Sequence, residues 1–233
     1  MNTLVIGSTG MLGQKLYAEL MERGYPVTGV ARQLADVSLD IQEHEALNAV
    51  LSRLKPDLII NTAACVNLQE CENSPKKAYC INSRPAAILA DYTKRTGAYL
   101  IQISTDHFFT DDQNAKHSEE APVTLLNEYA RSKYAAESFA TLDPSALIVR
   151  TNIVGFRHQP ANPTFLEWAL KTMNTTTPMT LYHDFYTSSI DVTTFSKALA
   201  DLIPKRPSGR LNLASSEVSS KKAFIEALAD QLG

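Results

Sequence analysis

The sequence predicts an α/β protein, a doubly wound parallel sheet with helices on both faces and a small C-terminal lobe. Two patterns predict it. Short continuous apolar runs alternate with amphipathic stretches through the first 150 of 233 residues. That alternation builds a parallel sheet through right-handed crossovers. Three of only nine glycines also fall within seven residues, between the first apolar run and the first helix. With 44% apolar and 20% charged residues the chain is ordinary globular material, long enough for one large domain or one domain with a small lobe.

Each element has a local reason. Thr3-Leu4-Val5-Ile6 is the apolar run of a buried parallel strand. Leu12, Leu16 and Leu20 then recur at helical spacing, and Gly24 stands where a residue just past a helix end belongs. Val27–Ala31 reads as the second strand. Leu47, Val50, Leu51 and Leu54 mark a helix that Lys55-Pro56 ends, and Leu58–Ile60 is the third strand. One long helix is expected from about Pro75 to Thr96, closed by Gly97. Tyr99–Ile103 is the fourth strand, residues 110–120 a polar loop, Asn127–Ala140 a helix and Ala146–Val149 the fifth strand. Beyond residue 150, Pro160, Pro163 and Pro178 interrupt the rhythm. Helical patterns recur near Phe165–Met173, Thr194–Leu202 and Lys221–Leu232. The expected division is a dinucleotide-binding unit over residues 1–150 and a substrate lobe over residues 151–233, interleaved with the sheet.

Several function classes are excluded. A net charge of −3 gives no broad basic field, so nucleic acid is not the expected partner. No apolar run approaches the ~20 residues that span a bilayer, and the N-terminus lacks the basic start of a signal peptide. The expected location is cytoplasmic, with no membrane partner. Cys65, Cys71 and Cys80 are odd in number and form no C-x-x-C pair, so they read as reduced thiols. In such a protein Asn174-Thr175-Thr176 matches a glycosylation sequon by chance. The five histidines show no metal-ligand spacing, so no metal is expected.

Gly7-Ser8-Thr9-Gly10-Met11-Leu12-Gly13 has G-x-x-G-x-x-G spacing between strand and helix, the context of a Rossmann-type dinucleotide turn. The glycines allow a tight turn, backbone approach to a pyrophosphate and close helix–strand packing. The helix start then offers free N–H groups and partial positive charge to phosphates. The end of the second strand reads Ala31-Arg32, with no acid for the ribose hydroxyls. Arg32 suits a 2′-phosphate, which tilts the expectation from NAD(H) toward NADP(H); a solvated surface arginine is the alternative. Asp40 and Ile41 follow in the stretch expected to line the adenine pocket.

The fourth strand ends in Ser104-Thr105-Asp106, and Tyr129 and Lys133 share a helix face at i and i+4. A nearby ammonium and a nicotinamide cation would stabilise phenolate, bringing the tyrosine down from its usual ~10 toward working pH. Tyr129 can then exchange a proton with a carbonyl or alcohol oxygen that Thr105 hydrogen-bonds. Lys133 can also hold the nicotinamide ribose. The ensemble points to carbonyl–alcohol redox chemistry.

Gly7–Gly13, Asn61-Thr62-Ala63-Ala64, Ser104-Thr105-Asp106-His107 and Tyr129-x-x-x-Lys133 together resemble the extended short-chain dehydrogenase/reductase family. The likeness is closest to dTDP-4-dehydrorhamnose reductases and related sugar-nucleotide reductases. Asp40-Ile41, Cys71-Glu72, Ile81-Asn82, Pro122 and Arg150-Thr151 extend it. The resemblance implies NAD(P)H-dependent reduction of a 4-keto group on a nucleotide-linked deoxysugar, and it allows a homodimer. By position it places Thr105, Tyr129 and Lys133 as catalytic. Gly7, Gly10, Met11, Leu12 and Gly13 fall at the pyrophosphate, Asp40 and Ile41 near the adenine, and Ala63 and Ala64 on the adenosine side, with Ser104 and Lys133 also against the cofactor. The pattern departs at His107, where rhamnose enzymes usually carry an aromatic ring, and at Ile153, where a tryptophan holds the sugar. Relatives also usually continue for several dozen residues past this lobe. Two other readings use the same motifs: a nucleotide-sugar epimerase or dehydratase with tightly held NAD, and a non-catalytic NAD(P)-binding regulator resembling the beta subunit of methionine adenosyltransferase.

Overall fold

A computed structural model describes residues 1–109, 115–175 and 178–232. The elements in chain order are β1 (Thr3–Ile6), α1 (Met11–Glu22), β2 (Val27–Ala31), β3 (Val37–Ser38), α2 (His44–Leu54), β4 (Leu58–Asn61), α3 (Leu68–Asn73), α4 (Pro75–Asn82), α5 (Arg84–Thr96) and β5 (Tyr99–Ile103). They continue with α6 (Glu128–Ala140), β6 (Leu147–Arg150), β7 (Ile153–Val154), α7 (Phe165–Met173), β8 (Tyr186–Thr187), β9 (Ile190–Asp191), α8 (Val192–Leu202), β10 (Gly209–Asn212), β11 (Ser219–Ser220) and α9 (Lys221–Leu232). Part of the expected loop over residues 110–120 and Thr176 of the sequon lie outside the described residues.

Seven strands form one parallel sheet in the order β10-β6-β5-β4-β1-β2-β3. The strand order reverses between β1 and β4, which opens a crevice at their carboxyl ends. Alternating side chains divide the core into two layers. Leu4, Ile6, Ile59, Leu100 and Ile148 face one side, where α2 and α5 bury Leu47, Leu51 and Leu89. Val5, Ile60, Ile101 and Val149 face the other, against Leu16 and Leu20 of α1 and Phe195 and Leu199 of α8. Each of these fully buried side chains contributes roughly 1.5–3 kcal/mol.

Local chemistry ends the helices as the sequence suggests. α1 stops at Arg23, with Gly24 at φ +79°. α2 stops at Lys55 in the left-handed region, and Pro56 cannot continue it. Asp191 caps α8 by accepting from Thr193 and Thr194 N–H.

The single helix expected over 75–96 is instead α4 and α5, broken at Ser83. Pro85 has no N–H to continue the helix and disfavours helical backbone before it. Side chains hold the break in place. The Ser83 hydroxyl donates to the Ser132 carbonyl at 2.7 Å, and the Asn82 amide donates to the Cys65 carbonyl and accepts from the Cys65 N–H. After residue 150 the chain both returns to the main layer, as α8 and β10, and builds an outer group of short strands, β8 with β11 and β7 with β9.

Candidate active site

The glycine turn links β1 to α1 across the crevice. Gly7 sits at φ +83°, and its N–H donates to the Val30 carbonyl at 2.8 Å. A side chain on Gly13 would stand 2.1 Å from the Gly7 carbonyl oxygen, so only glycine lets α1 start this close to β1. Gly10 is the cap of α1, without a side-chain acceptor, and no acid stands in the first turn. The first N–H groups of α1 thus face the crevice with their positive dipole end. Ser8 adds a buried hydroxyl without a hydrogen-bond partner. Uncapped donors, close backbone and an unsatisfied hydroxyl fit the phosphate-bearing part of a dinucleotide.

The expected cofactor residues divide by position. Ala63 lies against Gly7, its N–H 2.8 Å from where a Gly7 side chain would begin, and Ala64 follows it, half-buried. The Met11 sulfur lies 3.6 Å from where a side chain on Gly155 would begin. Leu12 and Ile41 bury their side chains in the two core layers, so only their backbone can serve a cofactor. Asp40 accepts from the Gln42 N–H at 3.0 Å. Arg32 is exposed at the end of β2. An acid does appear beyond that position, in Asp36, but its carboxylate accepts from the Gly29 N–H at 2.7 Å and lies beside Tyr17, whose phenol it raises.

Thr105, Tyr129 and Lys133 meet where β5 ends. Asn127 caps α6 by accepting from the Ala130 N–H at 2.8 Å, which fixes where the helix, and so Tyr129, begins. The Thr105 hydroxyl lies close enough to Tyr129 to act on its phenol, and it accepts from the His107 N–H at 3.1 Å. Lys133 lies one turn deeper, 3% exposed, and its ammonium donates to the Ile103 carbonyl at 2.6 Å. The Ser104 hydroxyl turns away from the crevice and donates to Glu137 at 2.6 Å. Glu137 is buried and holds Arg150 in a two-point ion pair of 2.9 and 2.8 Å.

The expected lowering of the phenol counts on a nicotinamide cation; among the protein's own groups burial dominates. Burial pushes Tyr129 up to about 12, while Thr105 pulls it back and the Asp106 charge adds to the rise. The Lys133 ammonium points to the Ile103 carbonyl rather than to the phenol. Burial also pulls Lys133 down to about 8, with Glu137 opposing. Both shifts follow from removing a charged form from water.

The other wall was less visible in the sequence. Asp106 follows Thr105, accepts from the Asn152 amide at 3.2 Å and is lifted by burial to about 6. His107 lies edge-on to Tyr129 at 5.9 Å between ring centroids and pairs with the Asn127 amide. Lys221 and Phe185 complete that side from α9 and the loop before β8. The tetrapeptide 104–107 gave a signal for the first two. Lys221 and Phe185 carried none, because tertiary folding alone brings them there.

A parallel sheet with a glycine turn at its crevice and a Thr-Tyr-Lys cluster beside it defines an NAD(P)-dependent oxidoreductase of the short-chain dehydrogenase/reductase type. The chain belongs to the RmlD substrate binding domain family, which it matches over residues 1–233. It is 28% identical to the spore coat polysaccharide biosynthesis protein SpsK of Bacillus subtilis, over 99% of this chain and 79% of that protein. It is 34% identical to a dTDP-4-keto-6-deoxy-D-glucose reductase of Streptomyces niveus, over 66% of this chain; the match spans 53%, about half, of that reductase. The crystal structure of a dTDP-4-dehydrorhamnose reductase from Bacillus anthracis in complex with NADP superposes with a TM-score of 0.89. That pair is 25% identical, with 99% of this chain and 80% of that one covered.

Proposed function

We propose that this protein reduces the 4-keto group of a nucleotide-linked 6-deoxysugar, with residues 1–150 holding the cofactor and residues 151–233 facing the sugar nucleotide. The observation that carries this reading is the meeting of Thr105 and Tyr129 at the end of β5, with Lys133 one turn beneath, its ammonium on the Ile103 carbonyl. The relatives named for 4-keto sugar-nucleotide reduction support the substrate class.

A phenol lifted to about 12 stays protonated at neutral pH, the state that keto reduction requires. Tyr129 donates its proton to the keto oxygen as that oxygen gains charge. Thr105 hydrogen-bonds the same oxygen and orients it. Lys133, one turn along the same helix face, is the cation of this cluster, and its charge would favour the phenolate left behind. A bound reduced nicotinamide supplies the hydride. The intact Thr105–Tyr129–Lys133 set weighs against a purely regulatory binding role, which has no use for all three.

Arg32, exposed at the end of β2 where an acid would select NAD, supports NADPH as the preferred donor. An Arg32→Ala variant with an unchanged NADPH-to-NADH preference removes that part of the proposal. The whole is tested by NADPH and NADH oxidation with dTDP-4-keto-6-deoxyglucose and its 4-keto relatives. Turnover of at least one supports it. Cofactor binding without turnover of any favours the regulator, and stoichiometric NAD retained through purification favours the epimerase.

A further inference from the structure

Lys221 opens α9, anchored by its own N–H on the Phe185 carbonyl at 2.9 Å. Its ammonium lies 4.4 Å from the centre of the Phe165 ring and 5.8 Å from that of Phe185. Among the described residues no carboxylate comes within ion-pair distance of it, although Lys222 beside it pairs with Glu226. A half-buried cation held by rings alone has lost much of its water and gained only modest attraction in return. It lacks an anion.

Asp106 does not fill that role. Its carboxyl rises to about 6 despite Lys221, which a close pair would have driven down. The Asp106 carboxylate instead accepts from the Asn152 amide at 3.2 Å, and it acts on Lys221 only at a distance, from the position that follows Thr105. Around Lys221 the lobe also exposes Trp168, Phe185 and Tyr186, and Trp168 leans on Phe165. A desolvated ammonium beside open aromatic faces is the chemistry that receives a phosphate attached to a flat base.

We propose that Lys221 is a specificity residue that binds the diphosphate of the sugar nucleotide, while Asp106 and the Thr105–Tyr129 pair face its sugar. This rests on the sugar-nucleotide reading above. It goes beyond it by assigning the diphosphate to one residue of this chain.

The test is calorimetric titration of the full chain, saturated with NADPH, using dTDP, UDP and thymidine as probes. Lys221→Met keeps the aliphatic stem between the rings and removes the charge, and Lys221→Arg restores it. The expected result is a nucleoside diphosphate bound roughly tenfold or more weaker by the Met variant, recovered by the Arg variant, with NADPH and thymidine binding unchanged. In turnover the loss should appear in KM rather than kcat. If the unaltered protein binds a nucleoside diphosphate and Lys221→Met binds it equally well, the lysine merely balances Asp106 and the inference is overturned. If the unaltered protein turns over no 4-keto sugar nucleotide and binds no nucleoside diphosphate, the sugar-nucleotide reading itself fails.

Discussion

The Lys133 ammonium is tied to the Ile103 carbonyl at 2.6 Å, so the cation of the catalytic cluster is anchored on the last residue of β5 rather than on Tyr129. The carbonyl orients the lysine but carries no full charge to offset burial, and its proton affinity falls to about 8. The contact with Ile103 sets the position of Lys133, while burial, opposed by Glu137, sets the pH at which it stops being a cation.

A pH limb follows. Below about 8 Lys133 is charged, and as pH rises through that value the charge is lost. kcat/KM for keto reduction should therefore fall on the alkaline side near pH 8, well below the about 12 at which Tyr129 itself ionises. Lys133→Arg, which stays charged to beyond ~12, should lower the rate but abolish the limb. A limb that persists unchanged in the arginine variant contradicts the assignment to Lys133.

The glycine turn makes a steric prediction. An Ala at position 13 would place its methyl 2.1 Å from the Gly7 carbonyl oxygen, so helix or turn must shift. Overpacking of this kind costs ~1–3 kcal/mol, and NADPH binding measured by fluorescence should weaken by roughly tenfold or more. Gly24→Ala is the control. Its methyl meets nothing within 4 Å, and the strain at φ +79° should lower thermal stability and leave NADPH affinity alone. Equal affinity in the Gly13→Ala variant would show that the close approach is not needed for the cofactor.

Beneath the cluster, Glu137 accepts from Ser104 and Arg150 at once, all buried. Glu137→Gln leaves the Arg150 charge without its counterion, and such losses cost ~3–5 kcal/mol. Urea unfolding should show that loss with an unchanged slope. A change below ~1 kcal/mol, the range of surface pairs, would mean the pair is not sealed from water.

These outcomes also show where the sequence was informative. The apolar runs at 3–6, 58–60 and 99–103 and the leucines at 12, 16 and 20 report burial directly, so the main sheet and α1 were legible. Asn127 and the Tyr129/Lys133 spacing report a helix start and a shared face, so the catalytic cluster was legible as well. The break at Ser83 was not, because it depends on Asn82 and Ser83 finding partners in Cys65 and Ser132. The strands β3, β7, β8, β9 and β11 are two residues each, too short for any periodicity. The i and i+4 spacing of Tyr129 and Lys133 states that two side chains share a face, not where the ammonium points, so its bond to the Ile103 carbonyl was not legible. Lys221 escaped for a related reason: only β11 pairing with β8 brings it to Phe185.

The central claim is that Tyr129 is the proton donor of a keto reduction. Single-turnover NADPH oxidation on dTDP-4-keto-6-deoxyglucose, comparing the unaltered protein with Tyr129→Phe, tests it most directly. Losing the phenolic proton should slow the chemical step by about 10²–10⁴ while NADPH affinity stays the same. A Tyr129→Phe protein that binds NADPH and reduces the keto sugar at the unaltered rate would contradict the account.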